Sequence, residues 1–300
     1  NFDCDLALDG IRQMLWGFFK KVVVADNCAL FVNGVFENYQ TLDGSTLFLG
    51  AFFFTIQIYG DFSGYSDIAI GCARLFGIDL MQNFKYPYFS RDIAEFWRRW
   101  HISLTTWFRD YIYIPLGGSR AGKWKSFRNT LVIFLVSGFW HGANWTFVAW
   151  GAYHALLFLP LLLLGQNRRY RDSVAENSFL PSVKELTQMG VTFLLVLLGW
   201  ILFRSEDISQ AAVYLERMFN ASLFSAPQLV GLGFGQLLLK KCFFFTALMF
   251  IVEWIGRKQA HGLMIEDLSL PVRYVIYTVL LIIIYGFDAS NPQGFIYFQF

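Results

Sequence analysis

The sequence predicts an all-α protein that crosses a membrane several times. Hydrophobic residues make up 56% of the 300 residues and charged residues only 15%, and the mean hydropathy is +0.44. These values are typical of a protein solvated by lipid rather than by water. Apolar runs also recur along the chain, separated by short clusters of Lys and Arg, as expected of bilayer-spanning helices with basic flanking loops.

The predicted helices are centred on apolar runs. The clearest runs cover residues 47–58, 131–140, 145–164, 191–203, 242–254 and 272–287. Several are shorter than the ~20 residues of a straight span, so we expect roughly six to nine helices, some of them re-entrant or interfacial. We expect one membrane domain over residues 1–300. Because the chain begins with Asn rather than Met, we also expect native N-terminal helices to be missing.

Composition argues against several other classes of protein. The net charge of +2 gives no strong field for nucleic acid. The cysteines lack the spacing of a metal site, so we expect them to be small core residues, with neither zinc nor a disulfide; they are Cys4, Cys28, Cys72 and Cys242. We expect no resident metal and no bound cofactor.

A polar stripe interrupts the apolar sequence between residues 57 and 74. On a helix its members share one face: Gln57, Asp61, Gly64, Asp67, Gly71 and Arg74. A charged side chain at the bilayer centre costs ~2.5–3.5 kcal/mol, so this face should meet protein or a water-filled cavity. Two interpretations remain open. The stripe forms a structural ion pair, such as Asp67 with Arg74, beside a packing seam at Gly60 and Gly64, or it contacts substrate.

Aromatic and basic residues are concentrated between residues 96 and 119. Trp, Tyr and Arg favour the headgroup level, which predicts an interfacial helix over 93–111 that dips into the membrane at Pro115. This helix would carry His101 on the same face as Trp97 and Phe108, so His101 should point toward packed protein.

One histidine stands out because it follows an apolar run. His141 is flanked by Gly138 and Gly142, which should leave room for a substrate chain. His154 would point away from it if the helix were continuous, so we interpret His154 as structural. His261 follows a basic loop and should be solvated.

Burial favours the neutral imidazole, which makes His141 a candidate general base. Deprotonating a hydroxyl as it attacks an acyl thioester would accelerate the reaction by ~10²–10⁴-fold. From spacing alone, a histidine that binds haem or accompanies retinal would look similar.

Five ordered motifs then narrow the choice. They are YGDFSGYSDIAIG (59–71), FWRRWHISLTTWFRDYIYIPLGG (96–118), FWHGA (139–143), LGWILFR (198–204) and FIYFQF (295–300). In these motifs the chain resembles the membrane-bound O-acyltransferases, and within them the branch of alginate O-acetylation membrane proteins. The resemblance implies helices around a funnel or tunnel, with His141 catalytic and His101 as a second functional position. We expect the following residues to line that tunnel: Trp140, Asp61, Asp67 and Asn144.

The resemblance also implies partners and a location. The acyl donor would be cytosolic acetyl-CoA, and the acetyl group would pass toward an exported polysaccharide such as alginate through periplasmic acetyltransferase partners. The protein would lie in the bacterial inner membrane, in contact with lipid. Two alternatives stay open: a D-alanyl transferase of teichoic acid D-alanylation, and a non-enzymatic scaffold subunit for polysaccharide export.

Overall fold

The structure, a computed structural model, describes residues 3–119, 122–229 and 235–287. Within these ranges all regular structure is helical, which confirms the predicted all-α class. The α-helices are α1 (Cys4–Phe18), α2 (Asp26–Glu37), α3 (Gly44–Leu75), α4 (Ile93–Arg99), α5 (Ile102–Phe108), α6 (Lys123–His141), α7 (Trp145–Leu163), α8 (Val183–Arg204), α9 (Ile208–Met218), α10 (Gln236–Ile255) and α11 (Leu270–Gly286).

Each predicted apolar run lies within one of these helices, except that the runs ending at residues 164 and 287 extend one residue beyond α7 and α11. The helices exceed the expected number because α4, α5 and α9 have only 7, 7 and 11 residues, too few to cross a bilayer. In the described part of the chain, α7 and α8 are long and apolar enough to be membrane spans. The final motif, residues 295–300, lies outside the described residues.

The chain forms two compact units. The first unit comprises Asn1–Gln82 and Arg217–Phe300, and the second unit comprises Asn83–Glu216. Helix α9 crosses the boundary between them.

In the first unit, α1 continues through a π-helical segment, Phe19–Ala25, directly into α2. Helix α3 lies against this continuous helix at positions without side chains. A Cβ atom on Gly17 would come within 2.6 Å of the Gly64 carbonyl oxygen, and one on Gly10 within 2.6 Å of the Gly71 oxygen. A Cβ atom on Gly60 would come within 3.1 Å of the Lys20 carbonyl oxygen. The predicted packing seam at Gly60 and Gly64 is therefore confirmed, and its partners are the π-helical segment and α1.

The two aspartates of the polar stripe on α3 pair with lysines of the π-helical segment. Asp61 pairs with Lys21 at 2.5 Å, and Asp67 pairs with Lys20 at 2.7 Å. The expected ion pair between Asp67 and Arg74 is wrong. Seven residues along a helix place the two side chains about 10 Å apart, whereas the lysines approach from the neighbouring helix at contact distance.

Arg74 instead pairs with Asp9 of α1, and Asp9 also contacts a histidine from a distant part of the chain. His261 is 2% exposed, and its Nε2 lies 3.0 Å from an oxygen of the same Asp9. The expectation that His261 is solvated is therefore wrong. Its partner is 252 residues away, so local sequence could not reveal it.

Two of the four cysteines are buried and two are exposed. Cys28 and Cys242 are buried as expected, but Cys4 and Cys72 are exposed, and all four thiols are free. The prediction that Cys72 is a core residue was wrong because one face of a helix can point away from the protein even within an apolar run. The described residues contain no group of three or more His, Cys, Asp and Glu side chains that could hold a metal ion.

The second unit is built around tryptophans. Trp100, Trp150 and Trp200 are each buried, and the rings of Trp150 and Trp200 stack with centroids 5.9 Å apart. Helices α6 and α7 form a hairpin, and α8 packs on α7. These elements position the candidate site.

Candidate functional site

The predicted helix over 93–111 is broken at His101. Helix α4 ends at Arg99 and α5 begins at Ile102, while His101 itself has φ of 46°. The break is stabilised from outside, because the backbone N–H of Ile102 donates to the Asn83 carbonyl oxygen at 3.0 Å. A left-handed conformation costs a residue with a side chain ~1–3 kcal/mol and is found most often at functional sites.

The side chain of Asn83 also holds the imidazole of His101. Its Oδ1 lies 3.2 Å from Nδ1 of His101, and it accepts hydrogen bonds from the Ser103 N–H at 3.2 Å and the Ser103 hydroxyl at 3.0 Å. Since a carbonyl oxygen can only accept, Nδ1 of His101 carries the proton and Nε2 presents a lone pair. Burial lowers the pKa of His101 to about 4, so the ring is neutral at pH 7.

His141 is the last residue of α6 and is surrounded by aromatic rings. The ring centroids of Trp140, Trp150 and Phe203 lie 5.0, 5.2 and 5.0 Å from that of His141. The Trp140 ring also lies 6.3 Å from that of His101. Burial lowers the pKa of His141, and a positive charge on His101 would lower it further. The structure thus brings together three of the predicted site residues, His141, His101 and Trp140.

The glycines beside His141 do not leave room for substrate as expected. A Cβ on Gly142 would come within 2.6 Å of the Phe147 ring, and Gly138 lies against the Phe147 carbonyl oxygen. Both glycines therefore serve the close packing of α6 on α7. The open side of the site is marked by Trp140, whose side chain is 54% exposed.

Asn144 begins α7 as its cap. Its side-chain oxygen accepts from the Thr146 N–H at 3.1 Å, and its amide donates to the Glu206 carbonyl oxygen at 2.6 Å. These contacts fix the turn that follows His141. A tunnel-lining role for Asn144 stays a prediction, as it does for Asp61 and Asp67, which belong to the first unit and pair with lysines there.

His154 does not lie on one continuous helix with His141, because the chain breaks between α6 and α7. The continuous-helix argument was therefore wrong: both imidazoles contact Trp150, each with centroids 5.2 Å apart. His154 is fully buried, neither ring nitrogen has a hydrogen-bond partner, and Trp97 packs at 4.9 Å. This environment is that of a core residue.

Sequence reasoning missed Asn83, Trp150 and Phe203. Phe203 lies within the LGWILFR motif, so a signal was present although it suggested no role. Trp150 occupies the helix that follows the FWHGA motif, nine residues after His141. Asn83 had no local signal, because its importance depends on the turn formed 18 residues later.

Comparison with known proteins supports the same interpretation. The chain is 40% identical over 240 residues to a probable alginate O-acetylase AlgI of Pseudomonas aeruginosa, covering 78% of this chain and 44% of the relative. It is 39% identical over 202 residues to a peptidoglycan O-acetyltransferase of Helicobacter pylori, covering 67% of this chain and 37% of that protein. A teichoic acid D-alanyltransferase of Bacillus subtilis is 29% identical over 214 residues, covering 67% and 52%.

The chain therefore spans less than half the length of the probable alginate O-acetylases that it matches. Residues 29–173, which include both His101 and His141, match the sequence model of the membrane-bound O-acyltransferases. The matched region and the relatives agree: the chain belongs to the membrane-bound O-acyltransferase family.

Proposed function

We propose that this chain carries the active site of a membrane-embedded O-acyltransferase that moves acetyl groups toward hydroxyls of an exported polysaccharide such as alginate. The observation that carries the proposal is the placement of His141 in an aromatic surround, with the neutral His101 next to it across Trp140. The enzyme is a multi-pass protein of the bacterial inner membrane, and its helices surround a tunnel or funnel within a single membrane domain.

In the reaction, His141 acts as the general base. It takes the proton of the acceptor hydroxyl as that oxygen attacks the carbonyl carbon of the acetyl thioester. The carbon–sulfur bond then breaks, the thiolate leaves, and the proton held by His141 protonates it. His141 becomes cationic during this cycle, so a neutral His101 favours the step, whereas a charged His101 would oppose it.

The orientation of His101 also contributes. With its Nδ1–H held by Asn83, the lone pair of Nε2 is available to accept a hydrogen bond from the acceptor or from an intervening water. Such preorientation is effective because the ring need not be ordered during the reaction. Trp140 shapes the pocket, and Asp61, Asp67 and Asn144 are proposed to line the path that leads to it.

The proposed donor is cytosolic acetyl-CoA, and the proposed partners are periplasmic acetyltransferases that complete transfer to the polysaccharide. The names of the relatives support an acetyl group, because the relatives near 40% identity include probable alginate O-acetylases and a peptidoglycan O-acetyltransferase. Transfer of D-alanine to teichoic acid is the second candidate. It is supported by the D-alanyltransferase relative at 29% identity, and it would use the same base with an aminoacyl thioester.

Acetyl content of the secreted polysaccharide tests the proposal. Cells with His141→Ala should lose O-acetylation, and cells with His101→Ala should lose most of it, while both variants remain in the membrane fraction. Val136→Ala, a change at a 38% exposed position on the same helix as His141, is the matched control and should leave acetylation unchanged. Full acetylation with His141→Ala would reject the assignment.

Labelled acetyl-CoA separates the alternatives. Purified protein with its partners should transfer label in a manner that depends on His141. A D-alanyl transferase would use only the aminoacyl donor, and a scaffold subunit would give transfer that is independent of His141.

A further inference from the structure

A groove of about 340 Å³ lies between α4, α7 and α8 in the second unit. Its walls are apolar: Leu157 and Leu161 come from α7, and Val191 and Leu195 come from α8. Among the residues that the structure describes, these two helices are long and apolar enough to cross a bilayer, so the groove runs along candidate membrane-spanning surface. The volume is at the lower end of the range for ligand pockets.

One end of the groove is polar and adjoins an exposed basic segment. Gln188 and Arg91 line this end. The Gln188 amide donates to the Tyr170 hydroxyl at 2.7 Å, and the Arg91 guanidinium lies 4.3 Å from the centroid of the Tyr170 ring. Tyr170 is flanked in the chain by Arg169 and Arg171, whose side chains are both exposed.

The charge on Arg91 is already matched within the protein. Its guanidinium forms ion pairs with Glu95 at 3.0 Å, with Asp172 at 3.0 Å and with Glu185 at 3.4 Å. The exposed cations at this end are therefore the neighbouring arginines. Because a guanidinium binds phosphate through paired hydrogen bonds, this segment suits an anionic phosphate better than a neutral headgroup.

The lining of the groove changes from polar to apolar along the axis of α8. This helix begins at Val183, Gln188 lies in its second turn, and Leu195 lies about 10 Å further along the axis. The groove thus starts beside the basic linker and continues into the apolar part of the span. This order matches a lipid, whose charged headgroup lies at the surface and whose acyl chain extends inward.

We propose that this groove binds one acyl chain of an anionic phospholipid, whose phosphate is held by Arg169 and Arg171. The site is distinct from the surround of His141, and none of the site residues described above lines it. The proposal does not depend on the acyl-transfer activity.

Native mass spectrometry of the full protein tests lipid binding directly. The probe is an equal mixture of dioleoyl phosphatidylglycerol and dioleoyl phosphatidylcholine in nanodiscs. Wild type should retain one phosphatidylglycerol, at least five-fold more often than phosphatidylcholine. Val191→Trp fills the groove from a 52% exposed position and should lose that lipid, whereas Leu194→Trp should keep it, because Leu194 is 47% exposed on the same helix but does not line the groove.

The charge requirement has its own comparison. Arg169→Gln combined with Arg171→Gln should reduce the preference for phosphatidylglycerol to near one-fold. Lys123→Gln combined with Lys125→Gln, the same loss of charge at exposed positions on α6, should leave the preference unchanged.

Equal retention of phosphatidylglycerol by Val191→Trp and Leu194→Trp would overturn the proposal, as would equal retention of the two lipids by wild type. So would a crosslinking experiment in which residues of the groove attach to a protein segment instead of lipid. If Val191→Trp fails to fold, Thr187→Trp at the exposed polar rim of the groove tests the same contact.

Discussion

Replacing Asn83 by Ala should impair His101 without changing either histidine. The Oδ1 atom of Asn83 accepts from Nδ1 of His101 and from both the backbone N–H and the hydroxyl of Ser103. The substitution removes all three acceptor contacts. The backbone bond from Ile102 to residue 83 remains, because it uses the main-chain oxygen.

The magnitude follows from the number of donors and their exposure. A buried donor without a partner costs ~1–3 kcal/mol. His101 and Ser103 are half-buried, and the Ser103 hydroxyl can turn toward the imidazole 3.4 Å away, so we expect a total loss of stability of about 1–2 kcal/mol. The imidazole also loses the contact that selects its tautomer and orientation, which should reduce acetyl transfer by at least ~10-fold.

The assay is a double-mutant cycle scored by polysaccharide acetyl content per amount of membrane protein. Asn83→Ala in the His101→Ala background should change transfer by less than ~2-fold, because its effect passes through the missing imidazole. Asn38→Ala, at an exposed position at the end of α2, is the control. Independent effects of the two substitutions would refute the reasoning, as would wild-type transfer by Asn83→Ala.

A charge at the same position adds a pH test. In Asn83→Asp a carboxylate lies beside His101, which should raise its pKa from about 4 by ~1–3 units. The ring then becomes cationic at higher pH than in wild type. Transfer should therefore fall first as pH is lowered toward 6 and recover above pH 8, whereas wild type should lack this loss.

Two further predictions concern packing and buried charge. Gly138→Ala places a Cβ against the Phe147 carbonyl oxygen, so α6 and α7 must separate, which should lower the free energy of unfolding by ~1–3 kcal/mol and reduce acetyl transfer. Gly190 has open space around it, so Gly190→Ala should leave stability unchanged or raise it. Thermal unfolding in detergent compares the two variants. Lys21→Met leaves two buried carboxylates without their cation and should cost ~3–5 kcal/mol, while Lys240→Met at an exposed position should have little effect; equal unfolding temperatures for the two would contradict this.

Helix positions could be predicted from the sequence because they depend on local hydropathy. Each apolar run lies within one helix, and the polar stripe on α3 faces protein, as the cost of exposing charge to lipid requires. His141 could be singled out for the same reason, since a titratable group beside an apolar run is rare. A pattern that repeats every three or four residues can be recognised as one face of a helix from the sequence alone.

The features that escaped prediction depend on partners far away in the chain. The break at His101 exists because Asn83 supplies acceptors to the turn, and no pattern within 93–111 contains that information. The role of Gly142 depends on Phe147 filling the space beside it. His261 looked solvated because its partner, Asp9, lies near the opposite end of the sequence.

The π-helical segment Phe19–Ala25 has a consequence for the tolerance of this region to changes in length. Adjacent residues on a regular α-helix diverge by about 100°, yet Lys20 and Lys21 both reach carboxylates on α3. The wider turns of the π segment accommodate this arrangement. A π turn closes from residue i to residue i+5 rather than i+4, so it holds one residue more than a regular α-helical turn. Removing one residue here would let the segment close as regular α-helix with α2 still presenting the same face to α3, whereas inserting a further residue would rotate α2 by about 100°. A single deletion should therefore be tolerated better than an insertion in this segment.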